Sequence, residues 1–226
     1  MQSGQRNHPR PTHRGWFRHP PVEVGSSAVF FRFTTTSTRA TSMTQPPRPA
    51  QPATLRVLVL CTRNSARSQM AEALFASIGG ARVIAASAGS DPGPGVHPLA
   101  VEALAEIGID WRGRPAQGID AVSGVPWDAV ITVCDAARDA CPYMPTAGLT
   151  AHWGVEDPAA AAGDQAARLQ AFRATRDLLG DAILAFFAAV DRSLASAGGL
   201  HLRDALDAGQ RIVDPSVNMS PDDAAT

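Results

Sequence analysis

A cysteine and an arginine carry the strongest chemical signal in this chain. Cys61 and Arg67 stand six residues apart in CTRNSARS, residues 61–68. A loop of that length can curl until the guanidinium faces the sulfur across a tetrahedral oxyanion, with a permanent charge and a planar fork for two oxygens. A free thiol ionises near pH ~8.5, and a helix N-terminus, several N–H donors and a cation favour the thiolate. Cys61 is therefore expected as a standing nucleophile. Thr62, Arg63, Asn64, Ser65, Ala66, Arg67 and Ser68 are the expected oxyanion-binding residues. Ser65 is expected to offer its hydroxyl to the thiolate, and Asn64 to brace the loop by side-chain bonds to its backbone. The plainer alternative is a buried strand-end cysteine beside a solvated arginine.

Two further thiols, Cys134 and Cys141, lie seven residues apart around DAARDA, a helical-looking segment with Asp135 as candidate N-cap. An intact helix rising ~1.5 Å per residue would hold their Cα atoms about 10 Å apart, beyond the ~7 Å that a disulfide spans. A bond between them requires the segment to rearrange. On residues alone they could equally be small buried hydrophobes. No C-x-x-C spacing suggests zinc, and no metal or cofactor is expected. Asp157 precedes Pro158, which favours an extended backbone able to aim a carboxyl at an anion as general acid. Such a pair also makes ordinary turns. Glu156 competes for the acid role, and His152 with Trp153 reads as packing and loop positioning.

The elements that must position these residues alternate. LRVLVL from Leu55 reads as a strand, and Ala66 to Ile78 as a helix with Met70, Leu74, Phe75 and Ile78 on one face. The anion loop thus ends at a helix N-terminus, where unpaired N–H groups gather. Residues 82–87 predict a second strand, and 97–107 a helix with Pro98 in its first turn, stopped by Gly108. Residues 128–133 and 148–152 predict two more strands, and 164–193 a long helix. The pattern predicts an α/β, three-layer fold with a four-stranded parallel sheet covered on both faces.

Composition bounds the rest. The 226 residues suit one catalytic domain, 54–195, with extensions. Residues 1–53 hold seven Arg, three His and only Glu23 as an acid, which predicts a disordered N-terminal arm; Met43 is an alternative start just before the domain. Residues 196–226 predict a loosely attached C-terminal tail with a short helix at 201–208. A net charge of -1 gives no basis for nucleic-acid binding or an anionic membrane surface. All basic side chains except His are Arg, and nothing mechanistic follows. Three cysteines suit reduced thiols in a cytoplasmic protein, and no apolar run approaches the ~20 residues of a membrane span.

CTRNSARSQMAEAL resembles the signature loop and first helix of the low-molecular-weight tyrosine phosphatases and their arsenate reductase relatives. The resemblance continues through SAG at 87–89, ITVC ending at Cys134, CP at 141–142 and AHWGVEDP at 151–158, covering about residues 55–192. It implies Cys61 as nucleophile, Arg67 on the oxyanion and Asp157 as acid. For the reductases it further implies arsenate as substrate, a relay through Cys134 and Cys141, and thioredoxin or another dithiol as reductant. There are departures. Arg63 replaces a glycine where a left-handed backbone is expected, at a cost of ~1 kcal/mol. Ala66 replaces an extra loop cysteine of some relatives, one outside the relay. Pro115 and Gln117 replace residues near a potassium site, so none is expected. The rival readings are a phosphatase acting on phosphate monoesters, which needs no second cysteine, and a non-catalytic oxyanion or arsenite binder.

Overall fold

The computed structural model describes residues 54–140, 147–196, 199–214 and 216. The expected arm, Cys141 and the last ten residues lie outside them. Four parallel strands, β1 (Leu55–Cys61), β2 (Val83–Gly89), β3 (Trp127–Thr132) and β4 (Ala147–His152), form one sheet in the order β2-β1-β3-β4. Central β1 is apolar almost throughout because both its faces are covered. Its side chains alternate: Val57, Val59 and Cys61 enter the larger core, while Leu58 and Leu60 meet Ala88, Trp127 and Val130 in a smaller one.

Parallel strands need crossovers, and helices supply them: α1 (Arg67–Gly79) after β1, α2 (Pro98–Ala105) after β2 and α3 (Asp135–Ala140) after β3. The long α4 (Gln165–Ala195) lays Phe172, Leu179, Ile183 and Phe186 into the larger core. Asp164 caps it, accepting Ala167 N–H at 2.9 Å. Arg176 of α4 donates to the Ala103 carbonyl at 2.8 Å and to Glu106, tying down the C-terminal end of α2. After β1 the chain turns toward β2, and after β3 toward β4, so the two loops diverge. That divergence opens a crevice at the carboxyl ends of β1 and β3, where Cys61 and Cys134 both lie.

The segment expected as a loose tail carries α5 (Leu202–Val213), packed against α4 and β4. It buries Ala205, Leu206, Ala208 and Gly209. The fully buried Trp153 explains the docking: its indole N–H donates to the Leu206 carbonyl at 3.1 Å, and its ring meets Phe75 and Phe186. No helix among the described residues is long and apolar enough to cross a membrane.

Gly209 of α5 also lies against that ring. A Cβ there would lie 2.1 Å from Trp153 Cζ2. Gly209→Ala is therefore expected to destabilise the fold by about 1–3 kcal/mol through overpacking, despite alanine's better helix propensity. Urea unfolding followed by tryptophan fluorescence checks this. A stability gain would mean that α5 does not press on Trp153.

Candidate active site

The anion loop takes its shape from its carbonyls, which are held from outside. Those of Cys61, Thr62, Arg63 and Ser65 accept the N–H groups of Ser90 (3.3 Å), Asp91 (2.9 Å), Gly93 (2.8 Å) and His97 (2.8 Å), all from the β2–α2 connection. A trans peptide points its N–H opposite to its C=O, so each anchored carbonyl turns the following amide the other way. One such amide is seen in use: Asn64 N–H donates to Cys61 Sγ at 3.2 Å. Concave rows of N–H groups bind anions. The N-terminus of α1 completes the concavity, with no side-chain cap on Ala66 and no acid in the first turn to neutralise its positive end.

Three sequence expectations change here. The hydroxyl beside the thiol belongs to Ser68, whose Oγ lies 2.9 Å from Cys61 Sγ. Ser65 instead donates to the Gly95 carbonyl at 2.9 Å, clamping the neighbouring loop. The left-handed residue is Asn64, at φ 47°, and Arg63 is free of that strain. Asparagine tolerates this region because its side chain bonds locally. Asn64 is fully buried and, instead of bonding the loop's own backbone as expected, braces the loop against its neighbours: its Nδ2 donates to Ser68 Oγ (3.0 Å) and Ser87 Oγ (2.8 Å), and its Oδ1 accepts Gln117 N–H (2.8 Å). Ser87 donates onward to Glu72 at 2.7 Å. Burial pushes the Glu72 carboxyl above its usual range, opposed by the Ser87 bond and by Arg114.

A cleft of about 500 Å³ opens over the loop, lined by Cys61, Arg63, Ser65, Ala66 and Arg67, with Asp157 and His97 on its walls. Arg67 donates to the Val155 carbonyl at 2.9 Å and pairs with Asp157 at 3.2 Å. The Asp157 carboxyl also accepts Ala159 N–H at 3.1 Å, at the 3-10 turn Pro158–Ala160. Guanidinium and carboxyl are thus brought together in the cleft. Arg63 is exposed and pairs with Asp91. Glu156 is exposed and does not line the cleft.

Thr62 and Ser68 do not line the cleft, and Thr62 links to the second thiol: its Oγ1 lies 3.4 Å from Cys134 Sγ. Cys134 is buried, and its carbonyl accepts the N–H groups of Ala137 and Arg138. Asp135, expected as N-cap, lies within the first turn of α3, where its carboxyl meets His152 Nε2 at 3.1 Å. His152 Nδ1 in turn meets Thr132 Oγ1 at 2.8 Å, consistent with a positioning role. Sequence reasoning missed His97, whose ring stacks on Phe172 at 4.6 Å and caps α2 by accepting Leu99 N–H at 3.1 Å. The signal was Pro98, since the residue before a first-turn proline is the cap.

Gly89 lies beside the loop: a Cβ there would be 2.5 Å from the Thr62 carbonyl and 2.8 Å from Asn64 N. Gly89→Ala must push backbone aside, and is expected to slow alkylation of Cys61 by iodoacetamide at least tenfold while circular dichroism stays native. Unchanged alkylation would mean that loop shape does not set thiol reactivity. His97 supplies a pH test. Burial first, then Arg168, hold it below its ordinary 6.5, with Asp157 opposing. The unfolded chain therefore takes the proton first, and stability present above about 6.5 falls as pH drops through the lower folded value. His97→Asn keeps a cap acceptor that does not titrate, so its urea-unfolding stability should fall less than wild type between pH 7.5 and 5. Parallel curves would exclude His97 as the titrating cap.

Comparison with known proteins agrees with this geometry. The family model described as low molecular weight phosphotyrosine protein phosphatase matches residues 56–196. An arsenate reductase of Oceanobacillus iheyensis is 38% identical over 130 residues, 58% of this chain and 93% of that one. One of Halalkalibacterium halodurans is 40% identical with the same coverage. A solved structure described as an arsenate reductase in the phosphate binding state superposes with a TM-score of 0.52 at 29% identity, covering 59% of this chain and 97% of the other. Helix α5 lies C-terminal to the matched residues. Because the match spans the sheet, the anion loop and α4, the chain belongs to the low molecular weight phosphotyrosine protein phosphatase family.

Proposed function

We propose that this protein is a cytoplasmic arsenate reductase, with residues 54–195 as its catalytic domain. The observation that carries the reading is the second thiol beside the loop, Cys134 Sγ lying 3.4 Å from the hydroxyl of Thr62, the residue after the nucleophile. Hydrolysis of a phosphate monoester would use Cys61, Arg67 and Asp157 and leave Cys134 idle. Relatives named arsenate reductase at 38–40% identity support the same choice.

In this mechanism arsenate sits on the loop N–H groups and the Arg67 fork. The Cys61 thiolate attacks arsenic, an As–O bond breaks, and Asp157 protonates the leaving oxygen, giving a thiol–arsenate adduct and water. Cys134, as thiolate, attacks Cys61 Sγ; the S–As bond breaks, its electron pair stays on arsenic, and arsenite leaves as a Cys61–Cys134 disulfide forms. Cys141 then attacks Cys134, restoring the Cys61 thiolate. Thioredoxin or another dithiol reduces the resulting Cys134–Cys141 bond. Two electrons enter per arsenite released.

Each thiol substitution should stop the cycle at a different species. Cys61→Ser should abolish arsenate chemistry. Cys134→Ser should stall turnover with Cys61 still modifiable, and Cys141→Ser should allow about one turnover and accumulate a Cys61–Cys134 disulfide visible by intact mass and non-reducing peptide mapping. The assay is arsenate-dependent NADPH oxidation with thioredoxin and its reductase, beside a glutaredoxin system. Repeated turnover of Cys141→Ser at the wild-type rate would overturn the relay. Release of phosphate from an aryl phosphate without arsenate-dependent oxidation would favour the phosphatase.

A further inference from the structure

Behind the anion loop, two buried side chains outside the proposed mechanism form the start of a hydrogen-bond chain that ends on Cys61. Trp111, in the connection after α2, donates its indole N–H to Gln69 Oε1 at 2.7 Å. Gln69, on α1 and 2% exposed, donates from Nε2 to Asn64 Oδ1 and to the Pro115 carbonyl, both at 3.0 Å. Asn64 Nδ2 donates to Ser68 Oγ at 3.0 Å, and Ser68 Oγ lies 2.9 Å from Cys61 Sγ.

Donor and acceptor chemistry gives this chain one direction. An indole N–H can only donate, so the Gln69 oxygen must face it and the Gln69 NH₂ must face Asn64 and Pro115. Asn64 Oδ1 then receives N–H groups from Gln69 and from the Gln117 backbone, which leaves its own NH₂ for the two serines. An NH₂ group can only donate, so both serine hydroxyls accept from it. Ser87 passes its hydrogen to Glu72. The only hydrogen Ser68 has left points at Cys61 Sγ, where it stabilises a thiolate more than a thiol. Arg114 lies over the Trp111 ring at 4.2 Å, and Trp111 is buried.

We propose that Gln69 and Trp111 are positioning residues for Cys61, setting the reactivity of its sulfur by reinforcing, beside the Gln117 N–H on Asn64, the amide orientation that leaves the Ser68 hydroxyl pointing at it. The inference rests on Cys61 being the nucleophile, yet its readout uses no arsenate. In the reduced full-length chain, iodoacetamide alkylation of Cys61 is followed by peptide mass mapping, which scores Cys134 and Cys141 separately. Trp111→Phe keeps the ring's bulk and removes only the N–H donor. It should slow Cys61 alkylation at pH 7 about threefold and move the pH midpoint upward. Gln69→Leu should slow it further, toward the Ser68→Ala rate. In a Ser68→Ala background, Gln69→Leu should add less than a twofold change, because the residue it acts through is gone.

Wild-type alkylation rates and midpoints in folded Trp111→Phe and Gln69→Leu would overturn the inference. So would an equal slowing by Gln69→Leu with and without Ser68, which would mark a general packing role. Should Gln69→Leu fail to fold, Trp111→Phe still decides. Arsenate turnover with an unmoved Cys61 midpoint would sink this inference and leave the proposed function standing, and the reverse pattern would do the opposite.

Discussion

Everything the site can do depends on the anion loop's carbonyls facing outward. Four of them are bonded to N–H groups of the β2–α2 connection. Each such bond is worth only about 1 kcal/mol net. Together they decide the direction of successive peptide planes, and so convert an irregular loop into a concave array of donors. Two other features serve the same constraint. Gly89 lacks the Cβ that would collide with the Thr62 carbonyl, and Asn64 accepts a left-handed backbone while its side chain ties the loop to β2 and α1. The charge of Arg67 would have little to organise without that array, because a guanidinium alone holds an anion in many orientations.

The sheet order supplies the second thiol. Loops leaving β1 and β3 part in opposite directions, and the pairing of Leu60 with Thr132 brings their next residues to one end of the crevice. Cys61 ends one strand and Cys134 follows the other by two residues. The same fold could serve hydrolysis with any small residue at position 134. The reductive reading therefore turns on one side chain and its neighbour Thr62, while the sheet, Arg67 and Asp157 are neutral between the two chemistries.

Much of this was legible in the sequence because it is local. The strand before Cys61, the helix after Arg67, the first-turn Pro98 and the Asp157–Pro158 pair each announce themselves within a few residues. What stayed hidden depended on rotation and on distance. Ser65 and Ser68 are both near Cys61 in sequence, but only the phase at which α1 begins decides that Ser68 turns inward and Ser65 outward. A left-handed position was expected at Arg63 and falls one residue later, a displacement that spacing alone cannot resolve. In the same way, α5 was legible only as a short helix in a loose tail, because its mate Trp153 lies some fifty residues earlier and only the fold brings the indole against Gly209.

That docking divides the crevice into halves of unequal stability. On the acid side, Trp153 is fully buried among Phe75, Phe186 and α5, and two residues on, the Val155 carbonyl receives Arg67. Displacing Asp157 would disturb a large apolar cluster. On the thiol side, α3 spans only Asp135–Ala140, and among its residues with described burial only Ala137 is buried. Opening it costs few apolar contacts, and segments of that kind open with free energies well below that of global unfolding. The proposed relay needs this asymmetry, since the rearrangement expected around DAARDA must leave the anion loop and Asp157 in place. The extra helix at the back of Trp153 is then part of what lets one half of the site rearrange without the other.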